Sequence, residues 1–383
     1  MSTEATVDGL ALVDHHCHGV VAGDLDRGGF EGLMTESFDP APAGTSHFDG
    51  PLGLAIRRWC APLLDLPPHA SPEAYVERRV ELGARRVNQR LLRAAGLGAL
   101  LVDGGHEPGR IVGVTEMGRL AGVAAHEVTR LEAVAEACAA DGVRAADYAD
   151  AFVERLEATA ARAVGLKTIL AYRGGFAIDT RPPSSEEVTA AAGRWLCQSD
   201  GRRPRVADPV LLRFGIWSGA DLARRRGLPL QFHVGFGDPD ITLHRTDPSL
   251  LTGLLRALAR WDVDVVLLHC YPYHRQAAYL AAVLPNVYFD VGLALNHTGA
   301  SAGSVLAEAL ELTPFTKHLY SSDAWGLAEL HHLGALLFRR CLAGLLDGWV
   351  AGDLCTAGDA ERIAWLIGAG NARRVYPLPA RGG

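Results

Sequence analysis

In the run Asp14-His15-His16-Cys17-His18, two histidines stand one residue apart at the end of an apolar stretch. If the stretch is a strand, His16 and His18 share a face and Cys17 points to the other side. Two imidazoles on one face at a strand's end can hold a divalent ion. Taken alone, the pattern fits a polar strand end with solvent-facing histidines equally well. Three more residues of ligand type close later apolar runs: His233 in LQFHVGFGD, His269 in VVLLHC and Asp323 in LYSSDAW. A mixed imidazole and carboxylate set with a position open to water suits one borderline ion, Zn²⁺ first and Mn or Fe next.

Such residues need a scaffold that gathers strand ends. Candidate strands lie at 11–18, 98–105, 122–132, 166–173, 228–235, 264–270, 286–292 and 318–323, several solidly apolar, as strands buried on both faces are. Helical patterns alternate with them, among them 147–164, 248–261 and 328–346. Eight such units predict an α/β fold, a distorted (β/α)₈ barrel, with an open doubly wound sheet as the other arrangement. A barrel places catalytic groups at the C-terminal ends of its strands. The chain is read as one domain over 1–383, with insertions at about 19–95, helical in its second half, and at about 174–207. Long insertions at that face form lids, specificity walls or peripheral decoration.

Of the 383 residues 49% are hydrophobic, and 37 Lys+Arg against 44 Asp+Glu give a net charge of -7. No basic block sits on an aromatic segment, so nucleic acid is not an expected partner. Seven scattered cysteines without a CxxC pair suggest a reduced protein, and the start MSTEATVDGLALVD lacks the features of a signal peptide. No apolar stretch is long enough for a membrane span. A cytoplasmic protein acting on a small molecule is expected, with pairing into a homodimer through its long helices.

The segments VDHHCHG, GLKTILAYRGG, FHVGFGDPDI, DVGLALNHTGA, KHLYSSDAWGLAEL and GAGNARRVYPL, spread over residues 13 to 377, resemble the amidohydrolase superfamily. The likeness is to its amidohydrolase-related, mononuclear branch, and closer still to the amidohydrolase-like domain joined to a glutamine-synthetase-like domain in nodulin-type and fungal developmental proteins. No such second domain is expected here, the chain ending at Gly383, so γ-glutamyl chemistry enters as an analogy. The resemblance implies His16, His18, His233 and Asp323 as metal ligands, with His269 beside the metal. In binuclear members a fourth-strand lysine carries a carboxylate that bridges two ions, the second held by residues equivalent to His233 and His269. Lys167 is on the expected fourth strand but six residues before its expected end at Arg173. At ~3.3 Å per residue that is far from the mouth, so one metal is favoured over two.

In the expected chemistry Zn²⁺ lowers the pKa of water toward about 7 and polarises a carbonyl. Asp323 carries the proton to a leaving amine and His269 stabilises the oxyanion or positions the substrate. Asp323 could instead cap the helix that follows it. Arg173 and Tyr172 are candidates to clamp a substrate carboxylate, with Lys167 and Asn296 as further substrate-facing residues. The turn GFGDPD after His233 offers backbone donors and Asp238, or is ordinary Gly-Asp-Pro turn chemistry; Asn296 and His297 border the mouth; His106, Glu107, Arg130 and Glu132 line it or form ion pairs; His331 and His332 belong to a helix face. The leading function is hydrolysis of a C–N bond in a small polar amide, a γ-glutamyl-like one among the candidates. Non-oxidative decarboxylation of a small carboxylic acid and ligand binding without catalysis are the alternatives.

Overall fold

The structure is a computed structural model that describes residues 7–107, 109–198 and 204–379. The first six residues of the N-terminal stretch and residues 199–203 of the second expected insertion lie outside it. Its centre is a parallel sheet in chain order, β1 (Leu12–Cys17), β2 (Leu97–Asp103), β3 (Ala124–Arg130), β4 (Gly165–Thr168), β5 (Leu230–His233), β6 (Val265–Leu268) and β7 (Val287–Phe289). The eighth expected strand is an extended segment with a single bridge, Phe289 to His318. It still bonds on both sides: Leu319 N donates to Phe289 O at 3.0 Å, and His18 N donates to Ala324 O at 2.8 Å. Those bonds join β7 to β1 and close the ring. Regular pairing fails there because Asp323 takes a φ of 46° and the serines before it bond to carboxylates of other strands.

Alternation sorts the strand residues into two layers. Leu100 and Val102 of β2 face the helices, whereas Ala99 and Leu101 belong to a smaller apolar cluster inside the ring. Residues of the C-terminal segment, Ala369, Ala372, Val375 and Tyr376, join that inner cluster and plug the ring from below. At the opposite end, inward positions pass from apolar to polar: Asp103, Lys167, Gln231 and His233 are all buried.

Between β1 and β2 the first insertion holds helices Pro72–Leu82 and Ala84–Ala94. Ser71 caps the former, its side chain accepting from Ala74 N, and Pro72 occupies the first turn, where a missing N–H costs nothing. Helix Ser185–Gln198 belongs to the second insertion. The long helix Ala328–Ala351 follows the closing segment, and Glu329 in its first turn takes Arg79 Nε at 2.6 Å and Tyr75 OH at 2.8 Å. This buried cluster ties the insertion to the barrel, so the insertion is not a loose decoration. Among the described residues no helix is long and apolar enough to cross a membrane.

Candidate metal centre

A bulge in β1 sets up the site. Asp14 pairs with Leu100 and Cys17 with Val102, so β1 advances three residues where β2 advances two. His16 and His18 face the ring and Cys17 the helices, where its thiol lies 3.5 Å from Leu101 O. The extra residue also turns His15 inward, onto Tyr376. His16 Nδ1 is 2.9 Å from Gln231 Oε1, and His18 Nδ1 is 2.9 Å from the carbonyl oxygen of Asp103.

The free edges of three imidazoles converge on one carboxylate. Asp323 Oδ1 lies 3.2 Å from His16 Nε2 and 3.6 Å from His18 Nε2, and Asp323 Oδ2 lies 3.2 Å from His269 Nε2. Burial alone would raise Asp323, but His269, His16 and His18 hold its carboxyl well below the usual range. His16 is pushed well below its ordinary value by burial and by Lys167. His269 and Asp323 reach this arrangement with positive φ of 70° and 46°, uncommon for residues with a side chain. With its helix starting only at Ala328, Asp323 is not an N-cap.

This donor set fits a divalent cation. His16, His269 and Asp323 offer ligand atoms within 4.8 Å of one another. His269 Nε2 and Asp323 Oδ1 are buried without a hydrogen-bond partner, a state that a cation between them relieves; His269 Nδ1 faces the other way, 3.7 Å from Asp290 Oδ1. The geometry differs from the expected ligand set at two residues. His269 points its Nε2 into the cluster, while His233 Nε2 is 3.1 Å from the carbonyl oxygen of Phe236. Lys167 also moves. β4 ends at Thr168 and residues Leu170–Arg173 form a 3₁₀ turn, so the lysine is next to the strand's end, not six residues below it. Its Nζ reaches His16 Nε2 at 2.8 Å and Asp103 Oδ2 at 3.3 Å, which removes the distance argument against a lysine at the metal.

Above the cluster opens a cavity of about 770 Å³, with His18, His233, Lys167 and Asp323 on its floor. Arg130, Tyr172 and Arg173 stand along one side, and residues 28–47 of the first insertion form the far wall, with Arg205 from the second insertion. Arg173 Nη2 donates to Glu136 Oε1 at 2.8 Å, but its buried Nε has no partner. Arg130 is fastened to Asp103 at 2.6 Å. Glu132 accepts from Thr168 at 2.6 Å outside the ring. His106 and Glu107 lie beyond β2 and line the cavity. Asn296 does not: fully buried, it donates from Nδ2 to Ser322 O at 3.0 Å and so supports the segment that carries Asp323. His331 and His332 are buried in their helix, and His331 Nδ1 is 3.9 Å from Asp14 Oδ2.

Several residues of the site carry no motif in the sequence. Asp103 ends β2, Asp290 follows β7 and Gln231 lies two residues before the end of β5, and inward alternation from Leu101 and His233 would have found Asp103 and Gln231. Glu36 is harder to find, since it comes from an irregular stretch of the insertion. It meets Asp238, whose carboxyl is pushed up to about 7 by burial and by Glu36 itself.

The description Amidohydrolase belongs to the family model that matches residues 13–378. Protein fluG of Emericella nidulans is 34% identical over 225 residues, which are 56% of this chain and 26% of that protein. The chain thus spans about a quarter of the length of that curated relative. A structure from Lactobacillus casei ATCC 334, provisionally described as a metal-dependent hydrolase, is 28% identical with a TM-score of 0.84, covering 98% of this chain and 97% of that one. A glucuronate isomerase from Caulobacter crescentus, at 16% identity and a TM-score of 0.68 over 99% and 94% of the two chains, shares the fold. With the family match running from β1 through the C-terminal plug and the donor cluster in place at the strand ends, the chain belongs to the amidohydrolase family.

Proposed function

We propose that the protein is a metal-dependent hydrolase of a C–N bond in a small polar substrate that carries a carboxylate, a γ-glutamyl-type amide being one candidate. The observation that carries this reading is the convergence of His16, His18 and His269 on Asp323 at the floor of an open cavity. The likeness to the Lactobacillus casei protein supports a hydrolase. When held by these four residues, a divalent cation, Zn²⁺ by ligand chemistry, supplies charge that polarises a carbonyl and acidifies water. Asp323, whose carboxyl is held well below the usual range, takes a proton from water and returns it to the leaving nitrogen. Lys167 puts a donor at the floor where negative charge develops on the carbonyl oxygen. Arg173, which lines the cavity, binds the substrate carboxylate, and Tyr172, its ring 4.5 Å from that of His233, fixes the substrate's near side. Free cysteines throughout suit the reducing cytoplasm.

The test is a screen of small amides and γ-glutamyl compounds with protein loaded with Zn²⁺, Mn²⁺ or Fe²⁺, reading amine and CO₂ release in parallel. Amine release that stops on chelation is expected. Release of CO₂ without amine, or no retained metal, would reject the proposal.

A further inference from the structure

A chain of buried side chains runs from the C-terminal plug to His16, and the chemistry of each member fixes the next. Gln231 Nε2 is 3.1 Å from the carbonyl oxygen of His15, which can only accept, so the nitrogen end of the amide faces that way. The same Nε2 donates to Tyr376 OH at 2.8 Å. Gln231 Oε1 therefore faces His16 Nδ1 at 2.9 Å, and His16 must carry its proton there. Its lone pair is left on Nε2, the atom that faces Asp323 and Lys167. With Tyr376 OH accepting from Gln231, its own proton goes to His15 Nδ1 at 3.0 Å. The remaining proton of His15 is then on Nε2, which lies 3.1 Å from Asp290 Oδ2 as a close polar contact outside hydrogen-bond geometry. Asp290 in turn accepts from His269 N at 3.0 Å and Ser321 Oγ at 2.7 Å, so the far end of the chain returns to the strands that carry His269 and Asp323. Gln231, His15 and Asp290 are fully buried, and water does not compete for these bonds.

We infer that Gln231, Tyr376 and His15 are positioning residues that hold His16 in the one tautomer able to donate Nε2 to a cation. Nothing in the chain touches the cavity, and its direction is set from the acceptor-only carbonyl of His15 outward. The reversed amide would set Gln231 Oε1 against that carbonyl and put a donor on His16 Nδ1, moving the imidazole proton to the metal side. The bulge in β1 is what makes the chain possible, since it brings His15 to the same side as His16.

The inference rests on His16 as a metal donor, and the experiment separates the two. Long-range ¹H–¹⁵N correlation on the metal-free protein reports the His16 tautomer, and competition with a chromophoric chelator reports metal affinity. Gln231→Leu should give a mixture of His16 tautomers and lower the affinity for Zn²⁺ by roughly 10- to 100-fold, the usual cost of losing the partner of a ligating histidine. Gln231→Glu keeps an acceptor on His16 Nδ1 but sets its second oxygen against the acceptor-only carbonyl of His15, so it should keep the Nδ1–H tautomer at a lower thermal stability. Tyr376→Phe removes one hydroxyl and should fall between wild type and Gln231→Leu in affinity; it keeps the test open if the leucine variant does not fold. A wild-type tautomer and affinity in Gln231→Leu and Tyr376→Phe, even with reduced thermal stability, would overturn the inference. A single Nδ1–H tautomer in a wild-type protein that binds no metal would leave the chain intact and reject His16 as a donor.

Discussion

His269 and His233 neighbour each other, their ring centroids 4.9 Å apart, yet they face different partners. His269 Nε2 looks at Asp323, and His233 Nε2 at a backbone carbonyl. His269→Ala is therefore expected to strip more metal from the protein than His233→Ala, measured as metal retained after dialysis. Greater loss in His233→Ala would reassign the two. Asp238 offers a test in pH. Its folded pKa of about 7 exceeds the unfolded value of about 3.9, so between those values the folded protein holds a proton that the unfolded chain has released. Its contribution to stability is present below that window and declines as pH rises through it. Asp238→Asn should flatten the fall in stability between about pH 4 and pH 7. Urea melts at stepped pH check this; an unchanged slope would mean that ionised Asp238 has a cation partner.

At the scale of elements, one buried ion pair ties the first insertion to the barrel. Arg79 from helix Pro72–Leu82 grips both oxygens of Glu329, at 2.6 and 3.2 Å, and Glu329 is fully buried at the head of helix Ala328–Ala351. Arg79→Leu leaves that carboxylate unpaired and should cost about 3–5 kcal/mol, read by chemical denaturation. A cost below about 1 kcal/mol, as for an exposed pair, would mean that Glu329 reaches water. The eighth-strand segment is held differently. Ser321 bonds to Asp290 and Ser322 to Asp14, so two strands' carboxylates set the backbone that presents Asp323. Gly292 packs against the same segment, and a Cβ there would stand 2.1 Å from Ser321 Oγ and 2.7 Å from its carbonyl oxygen.

For the molecule as a whole, a cation held by His269 and Asp323 would link metal binding to stability. A cation that binds only the folded chain should stabilise it by about 2.7 kcal/mol at a hundredfold excess over its Kd. Thermal melts of metal-free and loaded protein check this, and identical melts at saturating Zn²⁺ would exclude a site in this cluster. The cavity depends on the same long-range assembly, with its floor from the barrel and its wall from residues 28–47.

Local pattern carried the barrel. Apolar runs of strand length alternating with helical ones point to a parallel sheet wrapped by helices, and the ligand-type residues at their ends gather at one end of it. His16, His18 and Asp323 were legible because two-residue alternation and strand ends are short-range properties. Tertiary structure alone decided the rest. Lys167 moved to the centre because β4 stops at Thr168 and turns, an event set by packing and not by the apolar run that continues past it. Asn296 moved out, since the face a helix shows the cavity depends on how the helix is seated. His15 and Tyr376, 361 positions apart in the chain, meet only because a one-residue bulge and a C-terminal plug converge inside the ring. Sequence periodicity tells which face a residue takes; which partners wait on that face is a property of the closed barrel.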